Sequence, residues 1–106
     1  MAYNLTFTST AGSDLDEILR YMSKELANPG AASAFLTRLE KVISEITDFP
    51  KCGKTVDNEF IPVADIRKLP VSNYMLYYRV DESECRVVVL RIIYGKRNPQ
   101  TIINEI

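Results

Sequence analysis

The sequence predicts an α+β fold: a two-helix antiparallel hairpin on one face of a mostly antiparallel, twisted sheet of about four strands, in the order β-α-α-β-β-β. Three observations predict it. A short two-residue alternation opens the chain, two apolar stripes of helical spacing follow with almost nothing between them, and the second half holds three β-rich runs.

In "YNLTFTST", Tyr3, Leu5 and Phe7 alternate with polar residues, the period of a half-buried strand. In "SDLDEILRYMSKELAN", Leu15, Ile18, Leu19, Met22 and Leu26 share one helical face. Ser13 with Asp16 three residues on resembles a capping box, so a helix is expected to start near Ser13. Asn28-Pro29-Gly30 is read as the break, proline blocking continuation and glycine permitting the turn. The second helix carries Ala32, Phe35, Leu36, Leu39, Ile43 and Ile46 as its stripe and ends before Phe49 and Pro50.

Residues 50–62 contain two prolines, a glycine and no sustained period, and are expected to form a loop. "ADIRKLP", "NYMLYYRVD" and "CRVVVLRIIY" read as strands, the last two joined as a hairpin by the polar "DESE". On the middle strand, Tyr74, Leu76, Tyr78 and Val80 are expected to face the helices, and Met75, Tyr77 and Arg79 the opposite, open face. Pairing of Val80 near Cys85 would set Arg86 beside Arg79 there.

With 106 residues, the chain is expected to form a single domain over 1–106. Charged residues make up 25% and apolar ones 46%, which excludes wholesale disorder. No apolar run approaches the roughly 20 residues of a membrane helix, and "MAYNLTFTST" lacks the blocks of a signal peptide, so a cytoplasmic location without membrane contact is expected. Cys52 and Cys85 have no CxxC spacing and the chain has no histidine, so neither a disulfide framework, a metal nor another cofactor is expected. The net charge of −1 hides an asymmetry: residues 1–50 carry four basic against seven acidic side chains, and residues 51–106 nine against seven. That is too weak an excess for broad phosphate neutralisation but leaves room for a small cationic site.

The candidates for such a site are Arg67, Lys68, Arg79, Arg86, Arg91, Lys96 and Arg97, with Tyr77 and Tyr94 as possible stacking surfaces or core residues. Lys and Arg also solvate sheets and discourage edge pairing. Arg91 is flanked by apolar residues, so its guanidinium should have a carboxylate or carbonyl partner or line a pocket. Asp14, Asp16 and Glu17 are explained by the dipole at a helix N-terminus. No nucleophile elbow, P-loop or dinucleotide fingerprint is present.

Taken in order, "DLDEILRYMSKELANPGAASAFLTRLEKVISEITDFP", "IRKLPVSNYMLYYRVDES" and "VVVLRIIYGKRNPQTII" resemble toxins of the RelE/ParE superfamily of bacterial type II toxin–antitoxin systems, closer to the ParE branch. The resemblance implies the same two-helix hairpin over a twisted sheet, a growth-arresting activity and a cognate antitoxin, in some cases within a higher-order assembly. ParE-like members inhibit DNA gyrase by protein contact. RelE-like members cut mRNA on the ribosome with basic and Tyr residues; here Lys68, Arg97 and Tyr94 would be the catalytic set, while Met75 and Ile103 stand where an arginine and a tyrosine are expected. A third alternative is a non-toxic antitoxin-binding module or co-repressor. Arg67, Tyr77, Arg79, Arg86, Arg91, Lys96 and Arg97 are the residues expected to meet a partner, with Arg79, Arg86, Lys96 and Arg97 meeting the carboxylates of the antitoxin.

Overall fold

The computed structural model describes residues 3–25, 27–56 and 65–95. Strand β1 (Asn4–Phe7) leads into helix α1 (Ser9–Arg20), a π-helical turn (Tyr21–Glu25) and helix α2 (Pro29–Asp48). A 3-10 turn (Pro50–Cys52) and strands β2 (Lys54–Thr55), β3 (Asp65–Val71), β4 (Tyr74–Asp81) and β5 (Arg86–Tyr94) complete the described elements. The strands form one sheet in the order β1-β5-β4-β3-β2, with β1 parallel to β5 and the other neighbours antiparallel. Both helices pack on one face, so the predicted α+β architecture is the observed one.

The first helix begins earlier than expected, because Thr8 and not Ser13 is its cap. The Thr8 hydroxyl accepts from the Ala11 N–H at 3.0 Å and donates to the Leu90 carbonyl at 3.1 Å. One side chain thus satisfies an orphan amide of α1 and fastens the helix start to β5, which no local pattern around Ser13 could do. The break between helices also comes earlier. It is made by the π-helical turn and by Ala27 at φ 47°, whereas Pro29 is already the first residue of α2 and Gly30 lies within its first turn. Asn28 caps α2 by accepting from the Ala31 N–H at 3.1 Å.

The core joins Ile18 of α1 and Phe35, Leu39, Val42 and Ile46 of α2 to Val71, Leu76, Tyr78, Val80, Val87, Val89 and Ile92 of the sheet. Tyr3, Leu5 and Phe7 pack against its margin, as their alternation predicts. Val42 completes the α2 stripe, while Leu36 lies on the solvent side. Leu26 is outside the described residues.

A short strand appears where a loop is expected: β2 pairs Lys54 with Lys68 and Thr55 with Arg67. The β4–β5 register puts Val80 opposite Val87 and Asp81 opposite Arg86. It differs from the expected pairing by two residues, which preserves parity, so Arg79 and Arg86 do share a face. Between Tyr77 and Tyr78 the register shifts by one, leaving Leu90 as the extra residue of a β-bulge.

The turn after β4 is closed by Asp81, whose carboxylate accepts from the Ser83 hydroxyl at 2.7 Å and the Glu84 N–H at 3.3 Å. The Ser83 bond, then the Glu84 amide and the neighbouring Arg79 and Arg86 charges, hold the Asp81 carboxyl below its ordinary pKa. Cys85 ends this turn at φ 50°, where a Cβ is disfavoured. Replacing Cys85 by glycine is expected to raise stability by about 0.5 kcal/mol, the relieved backbone strain exceeding the added freedom of the unfolded chain. A urea midpoint shifted downwards would contradict that reading of the turn.

The face turned away from the helices is not open at its centre. Ile66 and Tyr77 are 2% exposed and Ile93 6%, and Tyr77 and Ile93 cluster with Val56 and Met75. This corrects the expectation of a free sheet face, and the reason is composition: Ile66, Met75, Tyr77, Val88 and Ile93 make that surface too apolar to face water.

Candidate functional site

The bulge in β5 lies beside a cleft under helix α1. Strand β1 accompanies β5 only as far as Val89, so among the described residues the edge of β5 from Leu90 onwards has no strand neighbour there. Helix α1 takes that place. The Asp14 carboxylate accepts from the backbone N–H of Ile92 at 3.1 Å and from Nε of Arg91 at 2.8 Å, with a second Arg91 nitrogen at 3.2 Å. Both side chains are largely buried, at 13% exposure for Arg91 and 12% for Asp14. The carboxylate partner expected for Arg91 is therefore Asp14, and Arg91 has a further interaction besides. Asp14 stands in the second turn of α1, so its role is this pairing and not the dipole effect that its sequence position suggested.

Residues 14, 17, 18 and 21 follow the spacing of one helical face, and that face overlooks the ends of β4 and β5. Between them lies a cleft of about 210 Å³ lined by Asp14, Glu17 and Ile18 on one side and by Tyr74 and residues 91–94 on the other. Tyr74 packs edge-on against Phe35, with ring centroids 5.4 Å apart, and against Tyr94 at 5.8 Å. Burial, followed by the nearby Tyr21 and Tyr94 phenols, pushes the Tyr74 hydroxyl above its ordinary pKa. Tyr94 is 45% exposed and Tyr21 49%. A second, more open hollow of about 470 Å³ lies between Tyr3 and residues 48–52, where Phe49 is 71% exposed. Its lysine, Lys51, is paired with Glu82 at 2.6 Å.

The candidate basic residues that are described do not share one face of the sheet. Arg67 is on the helix side, where its guanidinium binds Asp65 and the carbonyls of Lys51 and Gly53, each at 2.9 Å. It is a tether for the segment entering β2, since its donors are used within the chain and its side chain is only 15% exposed. Lys68, opposite Tyr77, is on the other face. Tyr77 is buried there, which pushes its hydroxyl above the ordinary pKa and removes its ring from contact with a partner. Arg79 and Arg86 remain exposed at the hairpin end, loosely paired with Asp81 at 3.9 Å and Glu84 at 4.0 Å. Lys96 and Arg97 lie outside the described residues.

Of the residues proposed for nuclease chemistry, the two that are described, Lys68 and Tyr94, do not converge. Tyr94 pairs with Tyr74 and so shares the helix side, whereas Lys68 faces away from the helices. The Tyr78 hydroxyl, which the sequence reading treated only as core, serves the same segment as Arg67: it donates to the Pro50 carbonyl at 2.8 Å and accepts from the Gly53 N–H at 2.9 Å. A buried tyrosine needing a hydrogen-bond partner was the available signal, and the glycine with room for it was the other half.

The two-helix hairpin on a five-stranded, mostly antiparallel sheet defines an α+β architecture of the RelE/ParE kind. The sequence profile of the ParE toxin of type II toxin–antitoxin systems matches residues 5–99, and the chain belongs to that family. Among solved structures it is similar to a RelBE toxin–antitoxin complex from Mycobacterium tuberculosis, at 25% identity and TM-score 0.63 over 89% of this chain and 99% of the other. It is also similar to a chromosomal ParDE system from P. aeruginosa, at 21% identity and TM-score 0.68 over 90% and 98%. The isolated E. coli RelE toxin aligns over 99% and 100% with TM-score 0.54 and 19% identity. No curated protein sequence matches the chain. No helix among the described residues is long and apolar enough to cross a membrane.

Proposed function

We propose that the chain is the toxin of a ParDE-type pair, held inactive by a cognate antitoxin, and that it arrests growth by binding DNA gyrase and not by cutting RNA. The observation that carries this reading is the placement of Lys68 and Tyr94 on opposite faces of the sheet, where they cannot act on one phosphodiester. Family membership supports the gyrase target through the known action of ParE-like members, and the toxin–antitoxin complexes among similar structures support the antitoxin. Contact with a protein needs no convergent acid–base set. It needs exposed anchors, and Tyr21, Phe49 and Tyr94 are such groups.

Induction of the chain in cells tests the proposal. Growth arrest with a rising DNA-damage response and intact transcripts is expected. Transcripts cut within codons would overturn the gyrase target, and normal growth with neither response would leave only an antitoxin-binding module. Lys96 and Arg97 follow Gly95 directly in the sequence, and the double substitution to glutamate is expected to abolish growth arrest. Undiminished arrest by that variant would remove these two cations from the mechanism.

A further inference from the structure

The cleft between α1 and the ends of β4 and β5 has a chemistry of its own. Its carboxylates are unequal: Asp14 is neutralised by Arg91, but Glu17 is exposed and has no ion-pair partner among the described residues. Its uncharged walls are isoleucine and tyrosine. Tyr74 and Tyr94 line it, and Tyr21 stands one turn beyond Ile18 on the same helical face, close enough to Tyr74 to act on it electrostatically. Tyr74 keeps its proton well above neutral pH, so its ring presents a neutral π face. A free carboxylate beside two phenol rings set edge-on to each other is a composition that favours an organic cation over an anion.

The geometry points to this cleft as the receptor for one guanidinium or ammonium side chain of a protein partner, held between the Tyr21, Tyr74 and Tyr94 rings and the Glu17 carboxylate. The volume of about 210 Å³ suits a single long side chain and is too small for a folded element. Charge complementarity decides the occupant: among the described residues the one cation of the lining, Arg91, is already engaged by Asp14, and Glu17 leaves that lining net negative. A nucleic-acid base could use the rings, but its phosphate would be repelled by Glu17. The partner's identity as antitoxin or target rests on the function proposed above; the cation preference does not.

Titration of the full chain with N-acetyl-arginine amide, followed by the ring resonances of its tyrosines, tests the inference. Saturable shifts at Tyr21, Tyr74 and Tyr94 are expected, with a dissociation constant on the order of millimolar for so small a probe. Glu17→Gln is expected to weaken binding about fivefold and Tyr94→Ala about as much, both at exposed positions that leave the fold intact. The uncharged citrulline analogue should give no response, and Glu40→Gln, exposed on α2, should behave as the parent chain. An equal response to citrulline, an unchanged affinity in Glu17→Gln, or tighter shifts of the same rings by oligouridylate would overturn the assignment. Because the titration uses no gyrase, antitoxin or cell, its outcome is separate from that of growth arrest: a chain that binds the arginine probe but does not stop growth keeps the cleft and loses the toxin function.

Discussion

Replacing Asp14 by alanine lowers the stability of the chain by about 3 kcal/mol, the usual cost of removing one member of a buried, hydrogen-bonded ion pair. Three losses combine. Arg91 keeps its charge in a site with little solvent, the Ile92 N–H loses its acceptor, and the uncovered edge of β5 loses the group that replaces a strand neighbour. A domain of this size is stabilised by about 5–15 kcal/mol, so the loss is a large fraction of the total. The urea midpoint of the Asp14→Ala variant measures it. Replacing both Asp14 and Arg91 by leucine should recover much of the deficit, because the desolvation of the guanidinium disappears with its partner. A cost below about 1 kcal/mol for Asp14→Ala would show that α1 does not hold the strand edge.

The second large effect is at Tyr78. Its side chain is fully buried, and its hydroxyl is bonded on both sides, to the Pro50 carbonyl and the Gly53 amide. Tyr78→Phe is expected to cost about 2–3 kcal/mol, since the buried Gly53 amide and the half-buried Pro50 carbonyl lose their partner at once. Gly53→Ala attacks the same contact from the other side: its Cβ would meet the Tyr78 hydroxyl and come within 2.9 Å of two ring carbons. A cost of about 1–3 kcal/mol is expected from that overpacking.

Alkaline pH provides a separate readout of the same side chain. Burial, the dominant cause, pushes the Tyr78 phenol from 10.0 up to about 12, the opposing Gly53 bond notwithstanding. The unfolded chain therefore releases this proton at a lower pH than the folded one, and stability falls as pH rises. The contribution is fully present below about pH 10 and is lost as pH climbs to about 12, a fall of about 2–3 kcal/mol. Tyr74 and Tyr77, also raised by burial, add to the slope in the same direction. Stability measured from pH 9 to 12 should decline less steeply in Tyr78→Phe than in the parent chain. Parallel profiles would contradict the assignment.

The elements legible in the sequence were those whose own periodicity matches their burial. Strands β3, β4 and β5 fall within a residue or so of "ADIRKLP", "NYMLYYRVD" and "CRVVVLRIIY", because β4 and β5 each present an apolar face to the helices and β3 pairs along β4. Helix α2 shows its stripe for the same reason. Arg91 could be assigned a partner from its apolar neighbours alone, though not Asp14 in particular, 77 residues away. What the sequence did not disclose depends on contacts between distant segments. The first turn of α1, "STAG", has no apolar stripe and is set by Thr8 reaching Leu90. Strand β2 is two residues long and exists by pairing with β3. The one-residue bulge in β5 redirects Arg91 and Tyr94, and nothing in "VVVLRIIY" marks it.

The candidate site followed the same division. A list of basic residues read from the chain could not tell which were used internally, and the tether made by Arg67 and the burial of Tyr77 both arise from segments far apart in sequence. The cleft beside Tyr94 was visible only as single residues. Asp14, Glu17 and Tyr21 lie on one helix, Tyr74 and Tyr94 on paired strands, and the fold alone brings them together.

Protein contact with gyrase, in place of phosphodiester chemistry, is the central claim. Its most direct measurement is negative supercoiling of a relaxed plasmid by purified gyrase and ATP, with increasing amounts of the purified full chain. Dose-dependent loss of supercoiling is predicted, together with uncut mRNA when the same preparation is added to translating ribosomes. Unimpaired supercoiling alongside cleaved mRNA would contradict it.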